Sequence, residues 1–433
     1  MTLTSRPTKR LRSSTRLSKA HTATRSDPPA DAINDLAARW IASLPDKATV
    51  FAPVGVWPVL AILADAATED VSADLRTTLC VDRSVEDADL LHAALDTLEF
   101  LACNDALDAA VAVWVSQHLG VREEWLARLP EHSRGLLTQT PAVDQPNLDE
   151  WARQRTRDLF TECPAKIEKE DDFVLASAIG LNMEWTTHFQ RISKHKLRQH
   201  FRGLSYIRCA DGITTVRVEG RSRNQPRSGA INCYLVLGEK GASASDTLSR
   251  GLALVRRHGA SSISYKNALK LAGPGLTVRI EESCAFQDKG RPYVEITTPG
   301  FKVSADHDLL ESDVFGLGSA KEEPETLGHH FPGITDNATW VKAAGQSAVA
   351  RFSSGGFRAA AVTHARGSTC MAAPRKPSPP KFAQALFLDV EIDRAFGFIC
   401  VEENTGVVLF VGWVTEEQFM DSEKDIRSST GSK

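Results

Sequence analysis

No stretch of this 433-residue chain approaches the ~18 consecutive apolar residues of a membrane-crossing helix, so no membrane partner is expected. The N-terminus lacks the apolar core of a secretory signal, and a cytoplasmic location is the expectation. The cysteines (Cys80, Cys103, Cys163, Cys209, Cys233, Cys284, Cys370 and Cys400) include no C-x-x-C pair. Without a signal peptide, that scatter argues for reduced thiols rather than a disulfide framework. A strong charge of one sign is also missing. The net charge of −4 is too small to point to nucleic acid or another highly charged partner. The common enzyme templates are absent: no G-x-S-x-G, no P-loop, no H-E-x-x-H, and no G-x-G-x-x-G after a strand. His329-His330 is the one adjacent histidine pair, and with no third ligand nearby it reads as a loop feature rather than a metal site. Cys370 has no base beside it in sequence, so nothing marks it as a catalytic nucleophile. Neither an enzyme nor a cofactor is expected.

What remains is a globular composition, 42% hydrophobic and 24% charged, in a chain long enough to bury a large core. Residues 1–30 stand apart. Arg6, Lys9, Arg10, Arg12, Arg16, Lys19 and Arg25 all precede the first acid, Asp27, and few apolar residues separate them. Such a segment buries too little surface to offset its ordering entropy, so it reads as a disordered tail. Its Arg/Ser-rich, acid-poor character also fits an arm for an anionic partner or a transit peptide. A second short tail is expected over 417–433, leaving a body of 31–416.

Within the body, helical periodicity covers Ala32–Leu44, Trp57–Ala67, the acidic run Glu86–Phe100, and Leu148–Phe160. Strand patterns cover Phe173–Leu181, Thr214–Val218, Asn232–Leu237, Tyr293–Thr297, Phe301–Val303, Ala385–Ile392, Phe396–Glu402 and Val407–Val414. Helices early, strands late and mixed order between them predict an α+β fold with more than one sheet.

The unusual segment is Ser353–Lys381, too long and featureless for an ordinary connection. Residues 357–373 contain no proline, whereas Pro374, Pro377, Pro379 and Pro380 crowd the far half, which cannot join a sheet interior. Alternate residues from Phe357 are Ala359, Ala361, Thr363, Ala365, Gly367 and Thr369, small and uncharged. The other set carries Arg358, His364, Arg366 and Cys370. In a strand the two sets face opposite sides, so the run is patterned as a half-buried strand that could slide between existing strands. Its alanine content supports a helix equally well.

Six stretches are similar to motifs of the serpin family, together spanning roughly residues 31–416. Phe51-Ala-Pro-Val-Gly-Val56 resembles the family's F-S-P-x-S-[IV]. Leu148-Asp-Glu-Trp151 with Thr156 resembles the helix over the main sheet, and Phe173–Phe189 the central strand, with Trp185 in the breach-tryptophan position. Pro299-Gly-Phe-Lys302 resembles P-K-F-K, and Phe331–Thr335 resembles F-S-G-I-T. Ala395–Val414 matches the C-terminal strand pair. The resemblance implies a serpin fold of three β-sheets with about eight or nine helices, and a monomer with an exposed reactive-centre loop at about 354–384.

The resemblance also implies a function. Ser354, Gly355, Gly356, Phe357, Ala359, Ala360, Ala361 and Thr363 fall on the loop's hinge. A target protease, serine or cysteine type, would cleave the loop and become acyl-linked, and the hinge half would insert as a new strand. The family's spacing puts the cleaved bond at Cys370-Met371, with Arg366, Arg375 and Lys376 as alternatives. Two departures bear on this. Phe357 replaces a small hinge residue, and a bulky ring there could slow insertion or fit a matched cavity. Behind the sheet, Ala52, Gly55 and Ser177 replace polar side chains of the cluster that controls sheet opening. The acidic run Glu86–Phe100 gives no support for a heparin-type cofactor helix. A non-inhibitory binding or structural serpin is the alternative.

Overall fold

The computed structural model describes residues 27–420 apart from 83, 164, 169–172, 203, 223–229, 258–264, 284–291, 323–329 and 358–382. Its α-helices are α1 (Ala30–Ala42), α2 (Pro53–Ala66), α3 (Glu69–Thr78), α4 (Asp87–Cys103), α5 (Glu123–Arg128), α6 (Pro141–Arg155), α7 (Ala244–Arg256) and α8 (Tyr265–Ala268). The strands through the middle of the chain are β1 (Thr49–Phe51), β2 (Leu107–Ser116), β3 (Arg134–Leu137), β4 (Phe173–Leu181), β5 (Met183–Trp185), β6 (Gln190–Arg191), β7 (Lys196–Arg202), β8 (Ile207–Ala210), β9 (Ile213–Ser222) and β10 (Ile231–Leu237). The later strands are β11 (Leu276–Ser283), β12 (Tyr293–Pro299), β13 (Phe301–Asp308), β14 (Ala343–Phe352), β15 (Gly356–Phe357), β16 (Ala383–Glu391), β17 (Phe396–Glu402) and β18 (Val408–Val414).

The α+β class holds. Among the described residues the strands hydrogen-bond into two sheets rather than the expected three, one of 13 strands and one of 5. The reason is local: β5 pairs with β9 through Met183–Trp185, which welds two of the expected sheets into one continuous ladder. The smaller sheet runs β11-β16-β12-β7-β6.

Helix boundaries moved where prolines misled the pattern. α2 begins at Pro53, not Trp57, because proline is well placed in a first helical turn. α6 runs Pro141–Arg155, not 148–160. Asp144 secures its start by accepting the Thr138 and Thr140 N–H groups. Arg157 and Asp158, both left-handed at φ 52° and 62°, end it.

The central strand β4 is buried along its whole length, as a continuous apolar run requires. Trp151, Leu148 and Ala152 of α6 cover one face of the sheet against Trp114, Val174 and Ala176. Buried α2 lies behind the other face. There Gly55 comes so close that an added Cβ would stand 2.2 Å from Ile179 Cδ1 and 2.6 Å from Ser177 Oγ. At the far end, Asn34 of α1 ties the β17–β18 turn, donating to the Gly406 carbonyl (3.0 Å) and accepting from Val408 N–H (2.8 Å). The segment expected as a tail from Glu417 is docked as far as Met420, whose N–H donates to the Gly300 carbonyl at 2.9 Å. No helix among the described residues is long and apolar enough to cross a membrane.

Candidate functional site

The site is a seam between β4 and β14. These strands are parallel and pair directly from Ala343↔Val174 to Val349↔Gly180. Facing residues along the seam are mostly small: Gly345 opposes Ala176, Ser347 opposes Ala178, and Val349 opposes Gly180. Above Val349 the seam is wedged open. The two-residue strand β15 stands between β5 and the end of β14, antiparallel to both.

Hydrogen bonds fasten this wedge. The Ser353 N–H and Oγ–H both donate to the Gly356 carbonyl at 2.9 Å, closing a tight turn after Phe352. Three successive carbonyls are then captured from the β5 side. Trp185 Nε1–H donates to Ser353 (2.8 Å), Phe189 N–H to Ser354 (2.9 Å) and Trp185 N–H to Gly355 (3.1 Å). Gly356 is required here because an added Cβ would lie 2.2 Å from the Met183 carbonyl oxygen. Gly355 has open space at the same test.

Phe357 is fully buried. Its ring lies 5.6 Å from Phe398, 6.0 Å from Trp185, 6.1 Å from Phe301 and 6.2 Å from Phe352, in edge-on or tilted contacts favoured by ring quadrupoles. Trp185 also packs on Phe352 at 4.7 Å. The bulky hinge residue therefore occupies an aromatic pocket shaped for it. Sequence could raise that outcome but not choose it, because three of the partners, Trp185, Phe301 and Phe398, come from strands distant in the chain.

Halfway down the seam, Gln346 is a residue the sequence reading missed. Fully buried on β14, it accepts Ala52 N–H at its Oε1 (2.8 Å) and donates from Nε2 to the Ala52 carbonyl (2.8 Å). The same Nε2 reaches Ser177 Oγ at 3.3 Å, directly across the seam. The polar cluster expected to be mostly lost at Ala52, Gly55 and Ser177 is thus held by one amide acting as a surrogate peptide group. The available signal was a lone glutamine in the apolar run AAGQSAVARF. Beside it, His307 on β13 pairs with Gln346 and donates Nε2–H to the Val50 carbonyl (2.9 Å). Burial pushes the His307 pKa below its usual value.

Of the residues singled out from sequence, Ser354, Gly355, Gly356, Phe357 and Trp185 converge at the top of the seam, and Ala52, Gly55 and Ser177 at its middle. Ala359, Ala360, Ala361, Thr363, Arg366, Cys370, Met371 and Arg375 lie outside the described residues, as do 1–26.

Residues 31–203 match the family model described as serpin (serine protease inhibitor). That segment is similar to the serpin family. Solved structures extend the likeness over most of the chain. Tengpin, a thermophilic serpin in its native state, aligns at TM-score 0.65 and 14% identity, over 90% of this chain and 95% of that one. Human thyroxine-binding globulin complexed with thyroxine aligns at 0.62 and 17%, over 89% and 96%. Arabidopsis AtSerpin1 in its native stressed conformation aligns at 0.59 and 16%, over 89% and 96%. No curated protein sequence matches the chain. At such identities the shared property is the serpin fold, and the seam is where its function must be sought.

Proposed function

We propose that this serpin is a suicide-substrate inhibitor of a protease, serine or cysteine type, that works by loop cleavage and strand insertion. One observation carries the reading: β15 already lies between β5 and β14, antiparallel to both, at the mouth of a seam of small residues. A chain leaving Phe357 is aimed to continue as a new strand. Each inserted residue would bond to strand edges on both sides, so insertion is downhill once the loop is cut. The bond proposed for cleavage is Cys370-Met371, with Arg366 or Arg375 as the trypsin-like alternatives. Incubation with a panel of serine and cysteine proteases should yield a detergent-stable complex, and mass spectrometry of the released peptide should locate the bond. Cleavage by many proteases with no trapped complex overturns the proposal.

A second reading, a non-inhibitory binding serpin, is favoured by the same Phe357. Its ring and the captured 353–355 carbonyls anchor the hinge at its root, which opposes further travel. A relative of this fold, human thyroxine-binding globulin, was solved with a small ligand bound. Melting before and after nicking the loop separates the two. A large rise supports insertion; no rise supports the binding protein.

A further inference from the structure

Cys233 on β10 and Cys400 on β17 are direct partners in an antiparallel ladder. Glu403 N–H donates to the Ala230 carbonyl at 2.9 Å, which makes Ala230/Glu403 a hydrogen-bonded pair. Such pairs alternate with non-hydrogen-bonded ones along a ladder, so Cys233/Cys400, three steps on, is of the non-hydrogen-bonded kind. In that kind the Cα atoms approach to about 4.5 Å and the side chains are closest. A disulfide spans Cα separations of about 4.4–6.8 Å, so it needs no movement of either strand. The two thiols are in mutual hydrogen-bond contact, and both residues are fully buried. Among the other described cysteines, Cys80 and Cys103 are exposed, Cys163 is buried beneath α6, and Cys209 contacts Thr214.

We propose that Cys233 and Cys400 are a disulfide site set during folding. The oxidant is a low-molecular-weight disulfide such as oxidised glutathione. One cysteine thiolate attacks a glutathione sulfur and expels one glutathione thiolate, leaving a mixed disulfide. The second cysteine thiolate then attacks the protein-side sulfur and expels the other. Two protein thiols are oxidised, one small disulfide is reduced, and two glutathione thiols leave. The exchange needs an accessible thiolate. Once β10 and β17 close, no reagent reaches either sulfur, and burial raises the Cys400 thiol pKa well above its usual value. The native protein therefore keeps whichever state it folded in. The bond would staple β10 to β17 and leave the β4–β14 seam free, so it stands independently of the inhibitory reading.

The test refolds the full chain from denaturant with oxidised glutathione, or with excess dithiothreitol. Free thiols are then alkylated in denaturant and the peptides mapped by mass spectrometry. Cell-free synthesis under oxidising and reducing conditions gives the same readout without refolding. The peptides of Cys233 and Cys400 should be joined after oxidative folding and both alkylated after reductive folding. The oxidised form should melt higher, and C233A/C400A should remove that difference. Native reduced protein exposed to oxidised glutathione should stay reduced at both positions. Full alkylation after oxidative folding, or pairing with other cysteines, overturns the site. Crosslinking in the native protein overturns the claim that folding sets it.

Discussion

Gln346 concentrates the cost of opening the seam in one side chain. Its amide supplies the Ala52 N–H with its acceptor and touches Ser177 across the gap. A buried donor left without an acceptor costs about 1–3 kcal/mol. Gln346→Ala removes that acceptor and leaves a void, so stability should fall by roughly 2–3 kcal/mol in denaturant unfolding. Gln346→Glu, which keeps the acceptor, should fall less if the carboxyl stays protonated. His307 adds a pH term. Its folded pKa lies below the reference 6.5, with burial the main cause; Val50 and Asp306 oppose the shift and Lys47 assists it. The unfolded chain therefore takes up the proton more readily. Stability is full above pH 6.5 and falls as the pH drops below it, down through the folded value. Melting curves from pH 8 to pH 5 should show that loss, and His307→Gln should shrink it. Neither role was legible in the sequence, where the one trace was a lone glutamine in an apolar run. Each acts on a backbone group hundreds of positions away, a pairing that only tertiary structure creates.

At the scale of elements, legibility followed burial. β4 and β17 were read at their true bounds because fully buried strands declare themselves as continuous apolar runs. α6 was not, because its prolines at 141 and 146 look like breakers and its covering face is narrow. β15 was invisible as an element, since two residues carry no period. The sequence still marked its residues through the glycine pair and Phe357. The steric demand at Gly356 makes the wedge testable. Gly356→Val places a branched side chain against the Met183 carbonyl and should expel β15. Trp185 would then lose Phe357 as a neighbour, and its emission should shift to the red. A Trp185→Phe background should abolish the shift. Gly355→Ala, which meets nothing within 4 Å, should leave emission unchanged.

At the scale of the whole molecule, one register links the wedge to the loop. Phe357 pairs with Phe352. Continued down β14, the same antiparallel register would set Ala359 opposite Ala350, Ala361 opposite Ala348, Thr363 opposite Gln346 and Ala365 opposite Ala344. The small alternate set would thus share the inward face that Phe357 already takes. Arg358, His364 and Arg366 would face outward. The inserting strand would arrive at the Gln346–Ser177 contact with Thr363, a side chain small enough to pass and able to offer a hydroxyl. That gives the insertion proposal a sharp substitution. Thr363→Arg would bring a charge to a fully buried level of the seam, where desolvation opposes it. The uncut protein should melt as the wild type does. After nicking between 366 and 375, the wild type should melt far higher and gain amide-exchange protection over 358–366. The variant should gain neither. Equal gains in both proteins would mean that the loop does not follow the register set by Phe357.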